Sequence, residues 1–244
     1  MQYGKRPLYN PENLYVVGDI HNKGHKLRCL LDQILPLITE KDHLVFAGDL
    51  NDRGEDFPLV LNITSDLLLK YPNQVYFVSG NHEAMIMKWY LNGRRDWMDY
   101  IQGTLEQIQS AYSLNDIEPT TIKNWLANNP NVYLNHLIPY YETPEVIVTH
   151  AGLGKQMCYM FGLKSNPEGI LERLQDLIYW EFVDEQESIP EITKFRICGH
   201  QYAHHKAPRI FKDRCFIDTG CGKNEKAPCT AIKYPGKKYW QSKV

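Results

Sequence analysis

Six short apolar runs, each breaking off in a small or polar residue, constrain this chain more than any other feature of it. They are residues 14–17 before Gly18-Asp19-Ile20-His21, 44–47 before Gly48-Asp49, 75–78 before Ser79-Gly80-Asn81-His82, 146–148 before Thr149-His150, 195–198 before Gly199-His200, and 215–217 before Asp218-Thr219-Gly220. Continuous runs of this length, rich in β-branched residues, predict strands buried on both faces. Helical stripes lie between several of them. Leu27, Leu30, Leu31, Ile34 and Leu35 recur at i, i+3, i+4, i+7 and i+8, and Pro36 ends the run. Val60, Ile63, Leu67 and Leu68 form a second stripe closed by Pro72, and Ile170, Leu171, Leu174, Leu177 and Ile178 a third. Strands alternating with helices predict an α/β layer fold.

Residues 89–135 break the rhythm. They carry helical patterns at Leu105–Ile108 and at Ile122, Trp125 and Leu126 but no strong strand, which predicts a helical insertion packed on the main layer. Near the end, 229–234 and 237–240 read as a hairpin joined at Pro235-Gly236. Without a repeat, linker or low-complexity stretch, a single domain over residues 1–244 is expected. The composition, 43% hydrophobic and 23% charged, excludes disorder as the main reading. With 27 Lys+Arg against 29 Asp+Glu, the net charge of −2 speaks against a dedicated nucleic-acid binder. Residues 1–11 are polar and no apolar run approaches a membrane span, so a cytoplasmic protein without membrane partners is expected. The six scattered cysteines form no CxxC pair and read as reduced thiols.

Function in α/β folds collects in loops leaving the carboxyl ends of strands. Five of the predicted ends carry metal-ligand side chains: Asp19 with His21, Asp49, Asn81 with His82, His150, and His200. A single Asp or His in a loop is ordinarily a cap, a turn residue or a solvated side chain. Five successive runs ending this way reverse that expectation. Mixed carboxylate and imidazole donors suit Mn²⁺, Fe or Zn²⁺, whereas Ca²⁺ and Mg²⁺ prefer oxygen alone. These ligand-type side chains exceed one tetrahedral site, and two ions sharing a carboxylate account for the excess.

The segments Gly18-Asp19-Ile20-His21, Gly48-Asp49-Leu50-Asn51-Asp52-Arg53-Gly54, Gly80-Asn81-His82-Glu83, His150-Ala151-Gly152 and Gly199-His200 occur in an order that resembles the metallophosphoesterase superfamily. Gly-Asp-x-x-Asp-Arg-Gly followed by Gly-Asn-His-Glu resembles its phosphoprotein phosphatase branch, in particular the short bacterial and phage members. The resemblance implies a βαβαβ core in a two-sheet sandwich flanked by helices. It implies two divalent ions, most simply Mn²⁺, with Asp19, His21 and bridging Asp49 on the first, and Asp49, Asn81, His150 and His200 on the second. A hydroxide held between them would attack phosphorus in line. His82 would protonate the leaving group, Asp52 would orient His82, and Arg53 would clamp the phosphate. The implied enzyme is a metal-dependent phosphoric ester hydrolase of the Ser/Thr protein phosphatase type. The alternatives are a symmetrical bis(5'-nucleosyl)-tetraphosphatase-like hydrolase and a weakened phosphate-binding protein. Phosphorylated protein or nucleotide is accordingly the expected partner.

Four positions depart from that pattern: Asn22 for glycine, Asn51 for an apolar residue, Ala151 for glycine, and Glu181 where a second phosphate-binding arginine is common. Asn tolerates a left-handed backbone, so Asn22 should cost little; Asn51 has no consequence derivable from sequence. Arg196, Lys206 and Arg209 are candidates for the missing positive charge. His25, His43, His136, His204 and His205 read as ordinary loop residues, and the six lysines after Gly222 as a solvated basic tail.

Overall fold

The computed structural model describes residues 9–93, 95–129, 131–133, 135–154, 179–180, 182–183, 193–202 and 206–243. Strands β1 (Leu14–Val17), β2 (His43–Phe46) and β3 (Val75–Val78) lie parallel at the centre of a six-stranded sheet, each buried along its full length. Its order is β11-β10-β1-β2-β3-β4, with β4 (Leu137–Ile138) parallel to β3. The predicted hairpin forms the far edge as β10 (Thr230–Tyr234) and β11 (Tyr239–Gln241), antiparallel to each other, with β10 also antiparallel to β1. A second sheet runs β5 (Tyr140–Glu142), β6 (Val146–Thr149), β7 (Phe195–Cys198), β9 (Arg214–Phe216), β8 (Arg209–Ile210), and within it β6, β7 and β9 are parallel. The two-residue strands and β5 are too short to carry a periodic signal, which is why the sequence pattern misses them.

The double burial has a simple origin. Successive side chains in a strand point to opposite faces. Tyr15, Val17, Leu44, Phe46 and Phe77 therefore face the helices, while Val16, Val45 and Val78 meet Val148, Ile197 and Cys215 of the second sheet. Helix α1 (Gly24–Ile34) buries Leu27, Leu30, Leu31 and Ile34, and a 3₁₀ turn over Leu35–Leu37 takes over where Pro36 lacks the N–H an α-helix needs. Helix α2 (Phe57–Lys70) carries Pro58 in its first turn, where a missing N–H costs nothing. The third predicted stripe, around Ile170–Ile178, lies outside the described residues.

The insertion begins later than the pattern suggests. One helix, α3 (Asn81–Asn92), runs from the end of β3 straight through Trp89, and stops where Gly93 turns left-handed and donates its N–H to Trp89 O. Helices α4 (Met98–Tyr112) and α5 (Pro119–Asn128) follow and bring Ile101, Leu105, Ile108, Ile122, Trp125 and Leu126 into the same core as α2. Against expectation, His43 is not a loop residue. It opens β2, fully buried, with Nδ1 2.7 Å from the Tyr141 hydroxyl. Among the described residues no helix is long and apolar enough to cross a membrane, and Cys29, Cys198, Cys215, Cys221 and Cys229 are free thiols.

Candidate metal centre

The parallel strands of both sheets end on one edge of the sandwich, and the turns leaving them are tied together before any side chain is considered. Ile20 and His21 both donate their backbone N–H to Asp49 O, at 3.0 and 2.9 Å, and Asn22 donates to Leu50 O at 2.9 Å. Glu83, in the first turn of α3, accepts from the backbone N–H of Asp49, Leu50 and Gly80 at 2.8, 2.7 and 2.7 Å. Its three-residue spacing from Gly80 is the visible sign of this capping role. His21, Asn22, Asp49, Asp52, Arg53 and His200 all adopt φ between 51° and 71°. Left-handed backbone at non-glycine residues costs about 1–3 kcal/mol each and persists only where surrounding bonds over-determine it. Gly80 could carry no side chain, because a Cβ there would lie 2.2 Å from Asp49 Oδ1.

Asp49 presents its two oxygens to different groups. Oδ2 lies 3.4 Å from His21 Nε2, and Oδ1 lies 3.3 Å from His150 Nε2. On the first side, Asp19 Oδ2 is 3.8 Å from the same His21 nitrogen. On the second, Asn81 Oδ1 is 2.9 Å from His150 Nε2 and 3.1 Å from His200 Nδ1. Backbone carbonyls fix both tautomers, since a carbonyl only accepts. His21 Nδ1 donates to Asn51 O at 3.0 Å and His150 Nδ1 to Ala47 O at 2.8 Å, which turns each Nε2 towards the carboxylates. Asp19 is steadied by the His200 N–H at 3.0 Å, and His200 Nε2 is buried without a hydrogen-bond partner.

Lone pairs converging on carboxylate and amide oxygens in a buried space require positive charge between them. Burial works to lower the His150 pKa, yet Asp49 and Asp19 push it up to about 10. Burial raises Asp49 too, but the facing histidines hold it well below the usual carboxylate range. Asp19 goes the other way, raised by burial and by Asp218. His21 is held low by burial. Two groups of donor atoms, His21-Asp49-His82 and Asp49-His150-His200, are compact enough for an ion. This donor set fits two divalent cations sharing Asp49.

Beside it, His82 Nδ1 donates to Asp52 Oδ2 at 2.7 Å. Burial lowers the His82 pKa, and Asp49 and Asp52 more than offset it, so the net shift is upward. The exposed Arg53 guanidinium donates to Nε2 of both His21 and His82, at 2.9 and 3.1 Å. Asp19, His21, Asp49, Asp52, Arg53, Asn81, His82, His150 and His200 are thus brought into one site. The candidates for a second cation are not. Arg196 pairs with Asp213, Arg209 lies over the Phe216 ring and donates to Gln201 O, and Lys206 lies on an exposed turn. Among the described residues Lys223 is also near the site: its charge acts on His200 and Asp218 and its Nζ sits 5.1 Å from the Tyr202 ring centre, while the Arg209 charge acts on Asp218 as well. Glu181, His204 and His205 lie outside the described residues, His136 is exposed, and His25 is an exposed neighbour of Asp56.

Asp218 went unread as a site residue although it ends the sixth apolar run. It is buried, accepts from the Gly220 N–H at 2.8 Å, and is raised chiefly by burial. Thr104 and Tyr133, which reach the site from the insertion, had no sequence signal.

Known proteins align with this arrangement. The chain is 33% identical over 143 residues to the symmetrical bis(5'-nucleosyl)-tetraphosphatase of Erwinia tasmaniensis, covering 58% of this chain and 45% of that protein. The chain thus spans about half the length of that relative. It is 24% identical over 241 residues to the asymmetrical bis(5'-nucleosyl)-tetraphosphatase PrpE of Halalkalibacterium halodurans, covering 90% and 89% of the two chains. A protein serine/threonine phosphatase from Saccharomyces cerevisiae superimposes with a TM-score of 0.62 over 96% of this chain and 81% of its own, at 14% identity, a likeness of fold alone. The sequence model of the calcineurin-like phosphoesterases matches residues 13–201, from before the Asp19 turn to the His200 turn, and the chain belongs to that family.

Proposed function

We propose that this phosphoesterase hydrolyses a phosphoanhydride of a nucleotide, with a dinucleoside polyphosphate as the substrate class. The observation that carries this reading is a pair of exposed aromatic rings flanking the site. Tyr100, 59% exposed, stands edge-on to His82 with ring centres 6.4 Å apart; Phe182, 67% exposed, lies 4.8 Å from the His200 ring. Large apolar surface left in water beside a polar centre suits a stacked base. The names of the two tetraphosphatase relatives support the same class.

Divalent ions bound here, for which Mn²⁺ is the first choice and Fe or Zn²⁺ follow from the same donors, would supply an activated water and neutralise phosphoryl charge. Asp19, His21 and Asp49 would hold one, and Asp49, Asn81, His150 and His200 the other. Arg53 orients the phosphoryl group through its planar pair of donors. His82, in its imidazolium form, hands the Nε2 proton to the departing oxygen and is left with the Nδ1 proton that Asp52 holds. Lys223 supplies the second cation for a polyphosphate chain.

One observation favours the Ser/Thr protein phosphatase reading instead. A buried Asp–His pair is most valuable for a poor leaving group such as a serine alkoxide, less so for a departing nucleotide. The protein loaded with Mn²⁺ and offered diadenosine tetraphosphate, a phosphoserine peptide and p-nitrophenyl phosphate side by side separates the cases. Preference for the dinucleotide is expected. Preference for the phosphopeptide overturns the nucleotide reading, and inactivity on all three with metal bound favours a phosphate-binding protein.

A further inference from the structure

Two residues that depart from the family pattern, Asn22 and Asn51, meet in one buried network around Asp52. The Asp52 carboxylate takes His82 Nδ1 and Asn51 Nδ2 on Oδ2, at 2.7 and 2.8 Å. On Oδ1 it takes the hydroxyl proton of Thr104, at 2.5 Å. The same Thr104 oxygen accepts the Asp52 backbone N–H and Asn22 Nδ2, each at 3.0 Å. A threonine hydroxyl has one proton and two lone pairs, and all three are committed here. Asn51 is fixed in turn by the Tyr133 hydroxyl, which donates to its Oδ1 at 3.1 Å. Asn22, Asn51, Asp52, Thr104 and Tyr133 are all buried.

The geometry points to Thr104, with Asn22 and Asn51, as the positioning unit of the Asp52–His82 pair; this rests on the reading of His82 as proton donor. Asp52 sits at φ 71°, a conformation its own turn does not favour. Thr104 grips both ends of the residue, peptide N–H and carboxylate, from α4 of the insertion. The orientation of the carboxylate, and through it the His82 ring and its tautomer, is therefore set from a helix that supplies none of the proposed ion ligands. An apolar residue at position 51 would leave Tyr133 without that acceptor, and a glycine at 22 would leave a Thr104 lone pair empty. The departures and the insertion residues form one unit.

Thr104→Val keeps the shape and removes the hydroxyl. It is expected to lower kcat on phenyl phosphate by about 10–100-fold, the usual scale for such supporting groups. On p-nitrophenyl phosphate, whose leaving group needs less protonation, the loss should be several-fold smaller, with KM and metal content unchanged. Thr104→Ser should restore both rates. Asn22→Gly, which accepts the left-handed backbone at position 22, should show the same leaving-group bias at smaller amplitude. Independently of activity, long-range ¹H–¹⁵N spectra recorded at a pH where the ring is neutral should report a single Nδ1-H tautomer of His82 in the wild type and in Thr104→Ser, and a mixed population in Thr104→Val. Equal losses on both substrates without rescue by serine would reduce Thr104 to a structural role. Unchanged rates with an unchanged His82 spectrum would overturn the proposal. If His82→Asn itself left both rates intact, the proton-donor reading would fall, while the spectra would still decide whether Thr104 positions the ring.

Discussion

Asp52 accepts the Nδ1 proton of His82 at 2.7 Å, with both side chains almost out of solvent. An ionised carboxylate can only accept, so Nδ1 keeps its proton and Nε2, which takes up the second proton in the imidazolium, faces Arg53 and, 4.0 Å away, Asp49 Oδ2. Once protonated, that nitrogen is placed to deliver a proton, although it also belongs to the His21-Asp49-His82 donor group. His82→Asn is therefore expected to lower kcat by roughly 10²–10⁴, the contribution typical of a general acid. Metal content by atomic emission should stay at the wild-type level. Loss of metal in this variant would move His82 into the ligand set instead.

Asp49 makes the opposite prediction. Its two oxygens face His21 and His150 separately, at 3.4 and 3.3 Å, so one substitution disturbs both halves of the centre. Asp49→Asn removes the shared negative charge that holds facing imidazoles and cations alike. The expected result is metal stoichiometry well below two per chain, with activity falling in step even at saturating Mn²⁺. A variant with normal stoichiometry and rate would refute a shared carboxylate.

Much of this was legible in sequence because chemistry and folding use the same residues. The strands announce themselves as apolar runs, and the ligand residues follow at once because the turns leaving parallel strands are where the site must be. What stayed hidden came from distance in sequence. Thr104 is 52 residues from Asp52 and Tyr133 is 82 from Asn51, and neither helix patterning nor motif spacing encodes such a meeting. Asn51 had no derivable consequence for the same reason: its value lies in the partners on either side of it. Arg196 shows the converse: one of three candidates for the missing positive charge, it is paired by the fold with Asp213.

The flanking rings give a test of substrate class that does not touch the chemistry. Base stacking on an aromatic side chain contributes about 1–3 kcal/mol. Tyr100→Ala and Phe182→Ala should each raise KM for diadenosine tetraphosphate on the order of 10-fold. For p-nitrophenyl phosphate KM and kcat should stay near wild type. An equal effect on both substrates would mean that the rings support the site itself.

His43 predicts how stability depends on pH, away from the metal centre. The ring is fully buried against Tyr9, Tyr76 and Tyr141, its Nδ1 engaged by the Tyr141 hydroxyl and its Nε2 without a hydrogen-bond partner. Burial lowers its pKa to about 4, only partly opposed by Asp42, whose carboxylate is already occupied by Asn13 and Thr39. In the unfolded chain the same ring titrates near 6.5. Between those values the unfolded state binds a proton that the folded state refuses. His43 thus leaves stability intact above about pH 6.5 and withdraws it as pH falls towards 4, by about 2 kcal/mol at pH 5. Urea unfolding at pH 7.5 and pH 5.0 should show that loss in the wild type. His43→Gln, which keeps a partner for Tyr141 but has no proton to gain, should be less stable at pH 7.5 yet lose about 2 kcal/mol less on acidification. Identical pH slopes for the two proteins would mean that His43 takes up its proton as readily folded as unfolded.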